Sequence, residues 1–112
     1  MIRIDACLDE AGLLLSCQVS GHAHAGPRGG DVVCAAVSIL TRTAFRTFSG
    51  REGIILRGGA PERGVFLMET DYSGKSRDFF SGAGAFLIEG FSSVAELYPE
   101  FCTLNIHRER RK

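Results

Sequence analysis

The stretch that decides the architecture of this chain reads Gly21-His-Ala-His-Ala-Gly-Pro-Arg-Gly-Gly-Asp-Val-Val-Cys-Ala-Ala-Val-Ser38. Its first part is rich in glycine and its second part begins a long apolar-periodic run, which predicts a loop over 21–30 and a helix over 31–49. Asp31 stands where that helix should begin, and a carboxylate there accepts hydrogen bonds from the free amides of the first turn. We therefore predict that Asp31 caps the helix and that Cys34 lies in its first turn.

Cys34 and His22 form the candidate catalytic pair. A cysteine at the positive end of a helix dipole is favoured as a thiolate, and the glycine-rich loop can bend to bring His22 over that turn. A thiolate with an imidazole within reach is the arrangement of a cysteine nucleophile and its base. The free amides of the first turn, including that of Cys34, would then serve as oxyanion donors. The competing interpretation is a core cysteine on an apolar helix face.

Other residues of the stretch have a structural and a functional interpretation as well. Asp31 either caps the helix or orients His22. Ser38, four residues after Cys34 and on a partly exposed flank of the helix, either bonds back to the Cys34 carbonyl or donates a hydrogen bond near the site. The residues themselves favour the structural interpretation for both.

Length and composition indicate one globular domain over residues 1–112. A chain of 112 residues with 45% hydrophobic and 23% charged residues forms a single core. The formal net charge of zero gives no overall attraction to nucleic acid or membranes. We find no apolar run near the ~20 residues of a membrane span and no signal-peptide layout, so a cytoplasmic location is expected. The charged block 107–112 is expected to be a solvated tail.

Cysteine placement argues against disulfides and structural zinc. The four cysteines stand at positions 7, 17, 34 and 102, without a Cys-x-x-Cys pair. A reduced state is expected, with Cys17 an inert core thiol and Cys7 facing outward. No cofactor is implied.

The remaining pattern predicts the element order β-β-α-β-β-α-β. Residues 1–20 read as a hairpin with Leu13, Leu15, Cys17 and Val19 on its inner face, and the later elements are strands at 54–56 and 65–68 around a turn-rich segment at 57–64, a helix over 77–98 and a last strand from 102. This is an α+β two-layer sandwich: a mostly antiparallel sheet of four to five strands with two helices on one face. The open sheet face and the glycines of the second helix suggest a homodimer.

The stretch resembles the signature of the ribosomal-processing cysteine protease family (Prp), in Gly21-His22-Ala23, the glycine-rich spacer and the segment from Gly30 to Ser38. The opening hairpin, the helix ending before Tyr98-Pro99-Glu100 and the final strand fit the same family. The resemblance implies a homodimeric α+β protease with a Cys–His dyad. It also implies that the substrate is the N-terminal extension of a bacterial large-subunit ribosomal protein, the twenty-seventh in the usual numbering.

Carried onto this chain, the resemblance makes Cys34 the nucleophile and His22 the base. Supporting or substrate-loop positions follow from the same match: Gly21, Gly30, Asp31 and Ser38. His24 places a second imidazole in the spacer, near the site.

Two other functions fit parts of the sequence. Zinc could be held by soft or borderline ligands, namely His22, His24, Cys34 and Cys17, although their spacing matches no common site. A non-catalytic ribosome- or RNA-binding module would use the basic tail, but the chain has no basic stripe with interleaved aromatic residues.

Overall fold

The computed structural model of the chain describes residues 1–22, 27–62 and 64–112, with the side chains of 27–31 and 62 excluded. His24 therefore lies outside the described residues, and Gly30 and Asp31 are described only as backbone.

In the described part of the chain, five strands and two helices follow in the predicted order. They are β1 (Ile2–Leu8), β2 (Leu14–Ser20), α1 (Pro27–Phe48), β3 (Ile54–Glu62), β4 (Val65–Tyr72), α2 (Arg77–Leu97) and β5 (Cys102–Arg108), with a short 3-10 turn (Gly74–Ser76) before α2. The α+β sandwich is confirmed, and so is the mostly antiparallel sheet.

The strands form one sheet in the order β3-β4-β2-β1-β5. The pairs β1–β2, β2–β4 and β3–β4 are antiparallel, whereas β1 and β5 run parallel. Ile4 of β1 stands opposite Val19 on one side and Leu104 on the other, so side chains of one sheet face are brought into register. The first hairpin is confirmed.

The core lies between the helices and the sheet face that carries the even-numbered residues of β1. Ile4, Val33, Phe80 and Phe91 are fully buried in this layer. In β2 the prediction of an inner-facing Leu15 is wrong: Leu14 is buried and Leu15 only half-buried. A register shift between Cys7 and Leu8 accounts for the change, because a bulge alters which residues of the partner strand share a face.

Two of the glycines of α2 allow close packing against neighbouring elements of the same chain. A Cβ on Gly90 would lie 2.7 Å from Leu40 Cδ2 of α1, and one on Gly84 would lie 3.3 Å from Leu14 Cβ of β2. Gly82 has open space instead. Two of the three glycines therefore mark contacts between elements.

The predicted turn at 57–64 is mostly strand. β3 continues to Glu62 and pairs with β4 through Gly58 and Gly59, both with positive φ. A Cβ on Gly58 would collide with the Leu67 carbonyl of β4. Glycine thus permits a close, irregular strand pairing here, and the same residues that looked like turn signals serve the edge of the sheet.

The C-terminal tail, residues 109–112, is not simply solvated, which corrects the expectation. Arg111 donates hydrogen bonds to Asp9 Oδ2 at 2.9 Å, to Asp71 Oδ1 at 3.1 Å and to the Leu14 carbonyl at 2.8 Å. Only 13% of its side chain is exposed. The buried Asp9 carboxylate recruits this guanidinium, because a charge out of water needs a partner.

The second sheet face is mixed in polarity and partly open to solvent, with exposed Ile55 and Leu67 among its polar residues. It carries Asp5, Cys7, Gln18, Glu69 and His107 at partly or fully exposed positions. Among the described helices none is long and apolar enough to cross a membrane.

Candidate functional site

A cleft of about 530 Å³ lies where α1 passes the ends of β2 and the β3–β4 hairpin. Four of the residues predicted from the sequence line it: Gly21, His22, Cys34 and Ser38. The structure therefore brings the candidate thiol and the candidate imidazole to one cavity, although they come from separate elements.

His22 is held by backbone contacts on both sides. Gly21 has a φ of 93°, and a Cβ there would collide with the carbonyl oxygen of Met1. The Gly21 N–H donates to the Gly64 carbonyl at 3.0 Å, and the N-terminal ammonium donates to the His22 carbonyl at 2.6 Å. The turn after β2 thus has a defined path that directs His22 toward the cleft.

The imidazole of His22 lies against Gly64, in the turn between β3 and β4. Gly64 has a φ of 81°, and a Cβ on it would lie 2.6 Å from His22 Nε2 and 2.9 Å from Cε1. No side chain fits between the ring and this backbone. Gly64 was not singled out from the sequence, because its partner is 42 residues away and only the sheet brings the two together.

Cys34 does not lie in the first helical turn, which corrects the prediction. α1 begins at Pro27, so Cys34 is its eighth residue and Asp31 its fifth. Proline suits the first turn because the N–H it lacks would have no intrahelical partner. Asp31 is therefore not the cap, and the amide of Cys34 lies within the helix, where it has an intrahelical acceptor. The prediction that the helix dipole favours a Cys34 thiolate is therefore wrong. The prediction that the Cys34 amide serves as an oxyanion donor is wrong for the same reason.

The half-buried Cys34 shares its helix flank with Ser38, Thr41 and Phe45, and all four line the cleft. The exposed Ser38 hydroxyl makes no hydrogen bond to the Cys34 carbonyl among the described residues, where Ser38 instead accepts one at its carbonyl from Thr41 Oγ1 at 3.1 Å. The described contacts therefore do not show the back-bond of the structural interpretation. The Ser38 hydroxyl is available to a group bound in the cleft.

The other thiols lie in different surroundings. Burial, with a smaller contribution from the Asp5 charge, raises the pKa of the core thiol Cys17 to about 12. Burial also raises the pKa of Cys102, and burial together with the Glu109 charge raises that of Cys7. Protonated thiols are poor nucleophiles and poor metal ligands, so Cys17 is an inert core thiol as predicted.

Two cations line the cleft as well. Arg42 and Arg46 follow Cys34 along α1, and the structure shows no ion pair for either among the described residues. Sequence reasoning missed them, although a signal was present: positions 34, 38, 42 and 46 recur every four residues.

The zinc hypothesis finds no support in the described part of the chain. No three or more histidine, cysteine, aspartate or glutamate side chains gather there, and Cys17 does not line the cleft that holds His22 and Cys34. His24 of the proposed ligand set lies outside the described residues.

Fold and site together define an α+β protein with a thiol- and imidazole-lined cleft, the class to which cysteine proteases belong. The chain belongs to the cysteine protease Prp family, whose family model matches residues 1–103.

Solved structures share the fold over almost the whole chain. SMU.848 from Streptococcus mutans is 26% identical, covers 97% of this chain and 96% of its own, and superposes with a TM-score of 0.78. The essential ribosomal processing protease Prp from S. aureus, in complex with a covalently linked product peptide, is 21% identical and covers 95% of this chain and 99% of its own, with a TM-score of 0.79. The same S. aureus protease in complex with a substrate peptide is 20% identical with the same coverage and a TM-score of 0.78.

One curated relative is a much longer protein, which this chain matches only in part. A 3-phosphoshikimate 1-carboxyvinyltransferase of Korarchaeum cryptofilum is 32% identical over 91 residues, which are 75% of this chain and 21% of the transferase. The chain thus spans about a fifth of the length of the curated relative it matches.

Proposed function

We propose that this chain is a cysteine endopeptidase that removes the N-terminal extension of a bacterial large-subunit ribosomal protein through a Cys34–His22 dyad. The observation that carries the proposal is the meeting of Cys34 and His22 in one cleft. Family membership over residues 1–103 supports it, as does the S. aureus relative, whose structures hold a substrate peptide and a covalently linked product peptide.

In the proposed reaction, His22 accepts the proton of Cys34 and the thiolate attacks the scissile carbonyl. The tetrahedral intermediate collapses as His22 returns the proton to the leaving amine, which releases one peptide and leaves a thioester on Cys34. Water, deprotonated by His22, then attacks the thioester, and the second peptide departs with a free carboxylate while Cys34 regains its proton.

The surroundings suit this chemistry. The close approach of the Gly64 backbone to the imidazole and the positive φ of Gly21 fix the path by which His22 reaches the cleft that Cys34 also lines. Ser38 offers a hydroxyl one helical turn from Cys34, suited to a hydrogen bond with the peptide. Ribosomal proteins are made in the cytoplasm, which would be the place of action.

The test is cleavage of peptides that span the junction of the host's extended ribosomal protein, followed by mass spectrometry. Cys34→Ala and His22→Ala should abolish cleavage, whereas Cys7→Ala, which removes a half-buried thiol on the other sheet face, should leave it unchanged. In parallel, iodoacetamide alkylation of Cys34 is followed against pH with Cys7, Cys17 and Cys102 replaced. Alkylation of Cys34 is expected to be faster with His22 present than in His22→Ala, because a neighbouring base activates a thiol nucleophile.

Cleavage that persists in Cys34→Ala would contradict the dyad. A Cys34 thiol that reacts slowly and is indifferent to His22 would make it a structural cysteine.

The protease is proposed to be a homodimer, and the helical layer is the better candidate for its interface than the open sheet face of mixed polarity. Phe86 and Leu97 of α2 are 76% and 74% exposed, and Ile39 of α1 is 64% exposed. Large apolar side chains grouped on one layer are typical of an interface. Light scattering should give a dimer mass for the wild type and a monomer mass for Phe86→Glu; a monomeric wild type would contradict the proposal.

A non-catalytic RNA-binding role for the basic tail is less well supported. Arg111 is occupied by Asp9 and Asp71, so the most buried cation of the tail is unavailable to phosphates.

A further inference from the structure

We propose that Arg42 and Arg46 select peptides with an acidic side chain three to six residues from the scissile bond. The proposal rests on the proposed function, since it assigns the reacting bond to the neighbourhood of Cys34. It concerns two residues that neither the dyad nor the sequence motif uses.

Arg42 and Arg46 both line the cleft that holds Cys34 and His22. Neither makes an ion pair or a cation–π contact among the described residues, whereas Arg51, just beyond α1, stacks 3.7 Å from the Phe79 ring centroid. In the described part of the chain no carboxylate lines this cleft. Among the described residues, the charged side chains of the cleft wall are therefore both cationic.

The two charges also repel each other. Residues four apart on a helix are neighbours on its surface, and like charges at that spacing destabilise the helix. An anion bound between them would relieve this repulsion. A guanidinium recognises a carboxylate with two parallel hydrogen bonds, so a Glu or Asp side chain of the substrate is a fitting ligand.

Helix geometry gives the distance from the reacting bond. With a rise of about 1.5 Å per residue, Arg42 lies about 12 Å and Arg46 about 18 Å from Cys34 along the axis of α1. An extended peptide advances about 3.3 Å per residue. The acidic position is thus about four residues from the scissile bond for Arg42 and about five to six for Arg46.

The rest of the wall favours a peptide over a bulkier polyanion. Phe45, Val65 and Phe66 line the same cleft, and the Phe45 and Phe66 rings meet edge-to-face with centroids 6.2 Å apart. Apolar walls with two cations at one end suit a chain that has apolar residues near the cleaved bond and an acid farther along it.

The experiment is a scan of paired peptides that differ only by Glu or Gln at each of the third to sixth positions on either side of the bond. For the wild type, kcat/KM should be about fivefold higher for Glu at one or two of these positions, as expected for a partly exposed ion pair of about 1 kcal/mol. The gain should appear in KM rather than kcat, because these charges lie far from the reacting atoms. Added salt should reduce it.

Substitutions of single arginines test which side chains cause the preference for Glu peptides. Arg42→Gln and Arg46→Gln should each lower the ratio of kcat/KM for the Glu peptide to that for the Gln peptide, whereas Arg51→Gln, which changes an arginine outside the cleft, should leave that ratio unchanged. Binding of the same labelled peptides to Cys34→Ala, followed by fluorescence anisotropy, reads the charge preference without catalysis.

Equal cleavage of Glu and Gln peptides at every position would overturn the inference and leave the protease function standing. Failure to cleave any peptide would overturn the proposed function, and the anisotropy would still decide the charge preference. An RNA oligonucleotide that displaces the bound peptide from the wild type but not from Arg42→Gln would assign the arginines to phosphates and overturn the inference.

Discussion

At the scale of single residues, Gly64 has the most direct influence on the candidate base. Its left-handed backbone and its missing side chain are both required, because a Cβ would press on His22 Nε2. Gly50, at the end of α1, has a similar φ of 68°, but nothing lies within 4 Å of the place where a Cβ would stand. Alanine substitutions at the two glycines can therefore be compared to distinguish the effect of backbone strain from the effect of contact with the imidazole.

We expect Gly64→Ala to lower kcat/KM by at least about tenfold, as a displaced general base would, and to lower the free energy of unfolding by about 1–2 kcal/mol. Gly50→Ala should show the loss of stability alone. Peptide cleavage and urea unfolding of both variants measure this. Full activity in Gly64→Ala would show that the position of the His22 ring against Gly64 is irrelevant to catalysis.

Arg42 and Arg46 belong to the same scale. Their charge is visible in the sequence, but their significance is not, since most arginines on a helix are solvated. They differ from other exposed arginines such as Arg51 because they line the same cleft as Cys34.

At the scale of elements, the contact between α1 and α2 depends on a missing side chain. Leu40 Cδ2 occupies the place where Gly90 would carry a Cβ, whereas Gly82 on the same helix faces open space. Helix α1 carries Cys34, so its packing on α2 also sets the wall of the cleft.

Alanine at Gly82 should raise the free energy of unfolding by about 0.5–1 kcal/mol, because glycine is a poor helix former. Alanine at Gly90 has the same propensity gain, but the half-buried Leu40 side chain must shift to make room for the Cβ, so Gly90→Ala should stabilise the protein less than Gly82→Ala. Thermal or urea unfolding of the two variants compares them directly. Equal stabilisation by both variants would mean that the contact between Gly90 of α2 and Leu40 of α1 does not affect the free energy of unfolding.

The start of α1 is the clearest difference at this scale. The glycine-rich segment before Asp31 reads as a loop, yet the helix takes in residues 27–30. Propensity is a weak guide here, since tertiary packing routinely overrides it.

At the scale of the whole molecule, the C-terminal tail returns to close the end of the sheet opposite the cleft. Arg111 joins Asp9 after β1, Asp71 at the end of β4 and the Leu14 carbonyl of β2. Burial tends to raise the pKa of Asp9, but hydrogen bonds from the Leu13 and Ala11 amides and from Arg111 outweigh it and hold that pKa below its usual range. Asp9 thus contributes stability above its ordinary pKa of about 4, which is lost as the pH falls through the lower folded value.

Arg111→Ala should lower the free energy of unfolding at neutral pH by about 3 kcal/mol, because it leaves a buried carboxylate without its cation. The exposed neighbour gives the control: Arg110→Ala should cost little. The difference in free energy of unfolding between Arg111→Ala and the wild type should narrow as the pH falls below about 4 toward the lowered pKa of Asp9 in the folded wild type, because a protonated Asp9 no longer needs the cation. Urea unfolding across pH measures this, and a gap that does not change with pH would exclude Asp9 as its source. None of the residues around Arg111 lines the cleft, so cleavage at neutral pH should be unaffected.

The sequence by itself determined the order of the elements, the two-layer α+β class and the candidate pair Cys34 and His22. Periodicity reports which residues face the core, and a local motif keeps its spacing whatever the fold. Tertiary structure alone decided the start of α1, the strand character of residues 57–62, the contact of His22 with Gly64 and the return of Arg111 to Asp9. Each of these depends on groups that are far apart in the chain and meet only after the sheet and helices have packed. A local sequence pattern therefore does not identify such partners.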